Sequence, residues 1–401
     1  MDQTLPPLPG ANDALIRARA GLANVIQGIL VPLLAVFTAV VIGAVFILLA
    51  GLDPFKAYLS LLQGSLGTDG ALTRSLVKMT PLILSGLAVA FAFKGGLFNI
   101  GAQGQLVVGA LCSAWAGFAI TGLPPVIHVP LALLAGMVGG MLWAMIPGLL
   151  KAYTGAHEVI VTIMLNYVAS LLLEWAVAAA GPFRNGVATP PPGPLAACRT
   201  IDMCALGKTP PILPSAYLPV LYQPGGNATD TIHLGVLIAI VAALIIMVVL
   251  YNTTFGFEVR MVGLNPSAAR YSGINVKRLT VTTMMISGLL AGMAGAIQTQ
   301  GVNHEFQINQ SLTTGFDSIA VALLAGSSPV GIIPSAFLFG AMNAGASQMQ
   351  LDSHVPVDLI QILQALILMF VAADQIIRQL YRIRMAGSGL GIRLSTGWGQ
   401  R

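Results

Sequence analysis

Charged side chains are scarce in this chain of 401 residues. Lysine and arginine number 19, aspartate and glutamate number 14, and together they make up 8% of the sequence, whereas soluble domains average about 25%. At the same time 56% of the residues are hydrophobic, and the mean hydropathy is +0.84. This small number of charged side chains cannot cover the surface of a soluble globule of this length. The composition therefore excludes a soluble globular protein and indicates a membrane protein.

Cysteine is also rare, with only Cys112, Cys198 and Cys204 in the chain. Three cysteines exclude a disulfide-rich scaffold, and the lack of a C-x-x-C pair or a Cys/His cluster argues against a metal site. Cys198 and Cys204 both fall in a proline-rich segment. If that segment faces an oxidising compartment, they could form a small disulfide loop, and two free thiols are the alternative.

Complete catalytic motifs are missing. Gly207-Lys208-Thr209 resembles the end of a phosphate-binding loop, but the position of the first glycine holds Asp202. His157-Glu158 resembles the start of a zinc-protease helix, but Val161 occupies the position of the second histidine. We therefore expect no enzyme activity, no metal and no cofactor in this chain.

Long apolar runs dominate what is present. A bilayer core about 30 Å thick requires about 20 apolar residues per helix, and the sequence contains about ten such runs. They lie near residues 24–50, 75–93, 97–121, 129–150, 159–180, 231–251, 280–300, 316–327, 330–347 and 358–377. This pattern predicts an all-α polytopic membrane protein. The eighth run is short, which favours a broken or re-entrant element.

The distribution of positive charge predicts the orientation. If the N-terminus lies inside, 13 of the 19 lysines and arginines fall in cytoplasmic segments, as the positive-inside rule requires. The whole chain, 1–401, then forms a single transmembrane domain with cytoplasmic tails at 1–23 and 378–401. Residues 181–230, with ten of the 24 prolines, form an outer loop, and residues 252–279 form a cytoplasmic loop. The net charge of +5 is explained by this orientation, so we expect no nucleic-acid partner.

The cytoplasmic loop encodes a short helix with clear boundaries. Asn265 is a good N-cap, Pro266 suits the first helical position, and Gly273 can adopt the left-handed conformation that ends a helix. A helix this short is not stable alone in water. It must therefore be held either by a groove on a partner protein or by anionic lipid headgroups.

Uncharged polar side chains cluster where the second and third runs meet. Several glycines there surround Phe98, Asn99, Gln103 and Gln105. An unsatisfied amide in hydrocarbon costs several kcal/mol, so these groups either line a pathway for a polar solute or hydrogen-bond to other helices. The same two interpretations apply to four further polar residues in or near predicted spans, which are Asn166, Glu174, Gln298 and Asp317.

Four stretches of the sequence resemble the membrane permease subunit of ABC importers of the ribose and nucleoside type. They are residues 76–105, which contain FNIGAQGQ, residues 158–169 (EVIVTIMLNYVA), residues 254–276, and residues 315–342, which begin GFDSIAVALLAGSSPVG. Their order and spacing cover most of the chain between the second and ninth runs. The first and last of them are more similar to the nucleoside branch than to the ribose branch.

The resemblance implies a bacterial inner-membrane permease of about ten spans that works by alternating access. Its expected partners are a second and non-identical permease, a cytoplasmic ATPase with two nucleotide-binding halves, and an extracytoplasmic solute-binding protein. ATP and Mg²⁺ would then bind to the ATPase. Spans two and seven run in opposite directions, as an inverted repeat of spans two to five and seven to ten would require.

Within the cytoplasmic loop, the resemblance assigns ATPase coupling to a set of nine residues. They are Gly256, Glu258, Arg260, Gly263, Asn265, Ala268, Ala269, Arg270 and Gly273. Two rival functions remain at this point. One is an ion-driven secondary transporter that uses Glu174 or Asp317, and the other is a simple-sugar permease of the ribose type.

Overall fold

The computed structural model describes residues 30, 33–177, 182, 208–224, 231–307, 313–372 and 381. The predicted Cys198–Cys204 pair, the tail 1–23, most of the tail 378–401 and much of the loop 181–230 lie outside the described residues. The chain divides into two compact units, Met1–Pro54 with Gln361–Arg401, and Phe55–Ile360.

Helices make up nearly all of the described structure. In chain order they are α1 Leu33–Leu49, α2 Pro54–Leu66, α3 Asp69–Lys94, α4 Ala102–Ala119, α5 Pro125–Leu149, α6 Glu158–Val177, α7 Gly235–Asn252, α8 Thr254–Leu264, α9 Pro266–Tyr271, α10 Val276–Gln298, α11 Thr314–Leu324, α12 Ile332–Ser353 and α13 Val357–Ala372. Wider π-helical turns extend α5 over Leu150–Thr154 and α10 over Thr299–Asn303. A short antiparallel pair, β1 Val220–Tyr222 and β2 Ile232–His233, precedes α7.

Five of these helices are long and apolar enough to cross a membrane: α3, α5 with its π turn, α6, α7, and α10 with its π turn. Among the described residues, α1 and α2 taken together would provide a sixth candidate, and α11 is a shorter apolar helix. The prediction of an all-α polytopic membrane protein is confirmed. The short eighth run is indeed a short helix, Thr314–Leu324.

Local signals explain several helix ends. Thr68 caps α3 by accepting a hydrogen bond from the Ala71 amide, and Lys94 lies in its last turn, where a positive charge interacts favourably with the helix dipole. Pro125 occupies the first position of α5, where its missing N–H costs nothing.

Two predictions about helices were wrong, namely where the third run begins and how many helices the predicted cytoplasmic loop holds. The third run was expected to be helical from residue 97, but α4 begins only at Ala102, because residues 95–101 form a turn. The cytoplasmic loop was expected to hold one short helix, but α8 precedes it, capped at Thr253 by a hydrogen bond from the Gly256 amide.

The unit Phe55–Ile360 is organised by two buried helices, α3 and α10, which contact each other. Helix α3 packs against α11 and α12 from the second half of the chain, whereas α10 packs against α4 and α5 from the first half. Each half therefore supplies the central helix around which the other half packs. An inverted repeat would produce this reciprocal arrangement, so the packing supports that prediction.

Glycines allow the close approach of α4, α5 and α10. A Cβ atom on Gly109 of α4 would lie 2.9 Å from the carbonyl oxygen of Gly136 in α5, and one on Gly292 of α10 would lie 3.0 Å from the Cα of Gly140. Side chains at these positions would separate the backbones. Small residues at helix contacts are the usual means of close packing in membrane proteins, where burial of apolar surface gives little driving force.

Candidate functional site

The chain between α3 and α4 forms a break, residues 95–101, at the end of a buried helix. Gly96 has φ +72°, a left-handed conformation that glycine adopts without strain. Asn99 then accepts a hydrogen bond from the Gly101 amide at 3.0 Å through its Oδ1 atom. These local features stop α3 at Lys94 and allow α4 to start at Ala102.

A buried set of hydrogen bonds, which we call the polar node, joins Asn99, Gln105 and Ser287. The Asn99 amide donates to Gln105 Oε1 at 2.9 Å and to Ser287 Oγ at 2.8 Å, and Gln105 Nε2 donates to Asn99 Oδ1 at 3.0 Å. Ser287 in turn donates to the carbonyl oxygen of Ala88 at 2.6 Å. The polar node therefore ties the break to α3, α4 and α10.

Two further amides hold other helices to the same region. Asn166 of α6 accepts from the Gly104 amide at 2.9 Å and donates to the Ile100 carbonyl oxygen at 3.1 Å. Gln103 accepts from the Gly315 amide, next to the start of α11, at 2.7 Å. All four amides are thus buried and hydrogen-bonded, and Asn99, Gln103 and Asn166 bond to other helices, which supports the packing interpretation. Their contact with a solute stays a prediction.

The other four predicted pathway residues do not join the polar node. Phe98 is 42% exposed and packs its ring 4.6 Å from that of Phe93. Glu174 is exposed on α6, and Gln298 lies half-buried at the end of α10. Asp317, in the first turn of α11, accepts a hydrogen bond from the Thr313 hydroxyl at 3.2 Å. Their pathway role is likewise still a prediction.

The short helix predicted in the cytoplasmic loop is present as α9. Asn265 caps it by accepting from the backbone amides of Ser267 and Ala268, both at 3.0 Å. Pro266 is its first residue. Gly273, which follows the helix, has φ +85°, so the cap, the first residue and the left-handed glycine are all where the sequence predicted.

The nine predicted coupling residues divide into two groups. Four are exposed on or beside α9, namely Asn265, Ala268, Arg270 and Gly273. The other five lie inward or half-buried, namely Gly256, Glu258, Arg260, Gly263 and Ala269. The Arg260 guanidinium lies 5.0 Å from the centroid of the Tyr251 ring, so this side chain is engaged within the chain.

Two strongly exposed side chains of this loop were missed by the sequence analysis. Leu264, at the end of α8, is 74% exposed, and Tyr271, at the end of α9, is 96% exposed. They lie near the two ends of α9 and were identifiable as large apolar residues in the segment predicted to be cytoplasmic. Tyrosine side chains at the centre of a contact commonly carry much of the binding energy.

At the other end of the helices, residues 208–218 pack on α4 and on the π turn of α10. The Thr209 amide donates to the Phe306 carbonyl oxygen at 3.0 Å, and the Leu213 amide donates to the Gly117 carbonyl oxygen at 2.9 Å. An ion pair between Lys208 and Glu305, 3.2 Å apart, lies beside them. The described part of the predicted outer loop is therefore firmly attached to the helices.

His233 is buried near the same π turn. Its Nδ1 atom accepts a hydrogen bond from the Gly235 amide at 3.1 Å, and its Nε2 atom has no partner among the described residues. Burial, with a smaller contribution from the neighbouring His304, lowers the pKa of His233 to about 4.

Across the described ranges, no three His, Cys, Asp or Glu side chains are grouped closely enough to hold a metal ion.

Comparison with known proteins identifies a family model. Residues 71–372 match the model described as the permease component of branched-chain amino acid transport systems. The matched range includes the break, the polar node and the loop that contains α8 and α9.

Individual relatives are similar over nearly their whole length. The guanosine ABC transporter permease protein NupP of Bacillus subtilis is 39% identical over 87% of this chain and 94% of its own. The nucleoside ABC transporter permease protein NupB of Lactococcus lactis is 35% identical over 88% and 93%. The glucose ABC transporter permease protein TsgB13 of Haloferax volcanii is 33% identical over 88% and 90%. A second permease from each of the first two organisms, NupQ and NupC, is also similar, at 27% and 26% identity over 66% and 67% of the chain.

Proposed function

Because the chain belongs to this family of transport-system permease components, we propose that it is the permease subunit of an ATP-driven importer for nucleosides. Like its relatives it is a transport component rather than an enzyme. The observation that carries the solute class is the 39% identity to a guanosine permease over 87% of the chain. The weaker identity to a glucose permease, 33%, makes a simple sugar the alternative solute.

The proposed partners follow from the relatives and from the exposed surface of the loop. NupP and NupB are named as ABC transporter permeases, so we infer a cytoplasmic ATPase that binds ATP and Mg²⁺, and an extracytoplasmic solute-binding protein. The pairs NupP with NupQ and NupB with NupC support a second, non-identical permease. The complex would lie in the bacterial plasma membrane with both termini of this chain inside.

Leu264, Tyr271 and the exposed face of α9 form the proposed contact surface for the ATPase, which we call the coupling knob. This surface combines Tyr271 and Arg270, whose residue types are enriched at the centre of interfaces, with the exposed apolar side chain of Leu264. When ATP binding draws the two halves of the ATPase together, the coupling knob would move and the spans would alternate between inward and outward states.

The double variant Leu264→Ser, Tyr271→Ala tests the coupling knob. Removing two anchors from the centre of an interface typically costs several kcal/mol, so we expect the ATPase to be lost from the purified complex. Co-purification from detergent checks this, with Leu221→Ser as the matched control, because Leu221 is a similarly exposed apolar residue in β1, outside the cytoplasmic loop. Undiminished recovery of the ATPase with the double variant would contradict the assignment.

Uptake by the complete importer tests the solute class. Proteoliposomes are prepared with both permeases in the membrane, the ATPase and ATP inside, and the binding protein outside. They should accumulate labelled guanosine. Excess unlabelled nucleoside should compete, whereas excess glucose should not. Accumulation by this chain alone under an ion gradient would instead favour a secondary transporter.

A further inference from the structure

We propose that Gly263 transmits the movement of the coupling knob directly to the α3–α4 break, and that the polar node passes this movement on to α10. The inference rests on the proposed function, because it requires an ATPase that moves the coupling knob. It assigns positioning roles to Gly263 and Ser287, neither of which needs to touch the solute.

The first link is a contact between two backbones. A Cβ atom on Gly96 would lie 2.9 Å from the Cα of Gly263, and one on Gly263 would overlap the carbonyl oxygen of Lys94. No side chain separates the last turn of α8 from the start of the break. Because close-packed atoms cannot be compressed, a shift of Gly263 towards the break must displace residues 94–96.

The second link makes α8 and α9 move together. Asn265 ends α8. Its backbone amide donates to the Met261 carbonyl oxygen at 3.0 Å, and its side chain caps α9. The opposite end of α8 is anchored, because the Gly256 backbone lies tightly against the carbonyl oxygens of Val249 and Leu250 in α7. A force on the coupling knob would therefore turn α8 about Gly256 and shift its far end at Gly263.

The third link runs from the break to α10. Asn99 lies three residues beyond Gly96 and is bonded to Ser287 at 2.8 Å. Asn99 and Ser287 are both completely buried, so no water can replace that bond cheaply. Displacement of the break must either pull α10 with it or exchange the hydrogen bonds of the polar node. Since α10 packs against α4 and α5, either event would reach the centre of the unit Phe55–Ile360.

Gly263→Ala is the first test. The added methyl group should push α8 away from the break, so the ATPase should still bind and hydrolyse ATP, but solute imported per ATP should fall at least tenfold. Gly155→Ala is a control for backbone strain. Gly155 has φ +72°, where alanine is strained, but a Cβ there meets nothing within 4 Å, so it measures strain without a contact. Gly263 lies within helix α8 and has no positive φ, so a loss of coupling in Gly263→Ala that exceeds the loss in Gly155→Ala reports the contact.

Ser287→Ala is the milder second test, in case the first variant does not fold. It removes the hydrogen bonds of Ser287 to Asn99 and to Ala88 while leaving the other bonds of the polar node. Ser85→Ala is its control, because Ser85 is equally buried but donates within its own helix, to the Pro81 carbonyl oxygen. We expect the coupling ratio to fall about threefold to tenfold with Ser287→Ala and to be unchanged with Ser85→Ala.

Hydrogen–deuterium exchange of the assembled complex distinguishes transmission from simple destabilisation. In the wild type, exchange of residues 95–101 should change when a non-hydrolysable ATP analogue is added. In Gly263→Ala that nucleotide-dependent change should disappear, whereas a merely structural defect would alter exchange equally with and without nucleotide. If the wild-type complex forms and hydrolyses ATP but residues 95–101 do not respond, this inference is wrong and the proposed function stands. If the chain binds no ATPase at all, the proposed function itself fails.

Discussion

Asparagine and glutamine side chains at the break show how one residue type can have two interpretations in a membrane sequence. Asn99, Gln105 and Asn166 were predicted either to line a pathway or to bond helices, and each is buried with defined partners. Residues 101–105 supply some of these partners, so part of the network was accessible to sequence reasoning. The bond from Asn99 to Ser287 spans 188 positions, and nothing in the local pattern indicates it.

His233 leads to a prediction about pH. An unfolded histidine titrates near 6.5, whereas burial lowers the pKa of His233 to about 4 in the folded chain. Between these values the unfolded state binds the proton and the folded state does not, so stability falls as the pH decreases. The expected loss at pH 5 relative to pH 7.5 is about 2 kcal/mol.

Thermal unfolding in detergent at pH 7.5 and pH 5 checks this prediction. His233→Gln should reduce the difference between the two pH values, because glutamine does not titrate. Ser85→Ala, a change at a buried side chain that does not titrate, serves as the control for lost stability and should leave the difference unchanged. An identical pH dependence in wild type and His233→Gln would show that His233 contributes nothing.

At the scale of the element, the local sequence determines where α9 begins and ends, but it does not by itself make this helix stable. Its cap, its proline and its following glycine were predicted from sequence, and all three are confirmed. Six residues are too few for a stable helix in water, so the Asn265 cap and the packing of buried Ala269 must hold it. Helix α8 was missed because its inward face is set by contacts with residues 94–96, which the loop sequence does not reveal.

Asn265→Ala should weaken the binding of the ATPase. It leaves the amides of Ser267 and Ala268 without their cap, at a cost of about 1 kcal/mol. If α9 must be helical in order to dock, that cost corresponds to a roughly fivefold lower affinity. Titration of the ATPase onto the reconstituted permease pair measures it.

Asn265→Asp should bind nearly as well as the wild type, because aspartate caps helices as effectively as asparagine. Equal loss of affinity in Asn265→Ala and Asn265→Asp would indicate that the amide contacts the ATPase itself.

At the scale of the whole molecule, the reciprocal packing of α3 and α10 predicts that neither half of the chain folds alone. Residues 1–230 contain α4 and α5 but lack α10, and residues 231–401 contain α11 and α12 but lack α3. Each isolated half would expose helix faces with glycines, which in the whole chain are covered by close contact with the backbone of a helix from the other half. We expect each half alone to be degraded in cells.

Co-expression of the two halves as separate chains should restore a stable, purifiable complex, because the division falls between α6 and α7 and interrupts none of the described helices. Immunoblotting of membranes measures the amount of each half. Stable accumulation of either half alone would argue against the reciprocal packing.

The sequence alone determined the membrane class, the all-α fold and the boundaries of α9. These features depend on hydropathy over about 20 residues or on caps and glycines within a few positions, so neighbouring residues are sufficient to predict them. Membership of the permease family was likewise predicted from local motifs, and the match to residues 71–372 confirms it.

Only the tertiary structure decided which polar groups pair, and which residues of the cytoplasmic loop face outward. Gly263 was predicted to take part in ATPase coupling, and this stays a prediction; its backbone lies against Lys94 and Gly96, while Leu264 next to it is exposed. Both outcomes depend on how α8 is placed against α3, more than 150 residues away in the chain. Local residue patterns set where helices begin and end, and long-range packing sets which of their faces remain available for a partner.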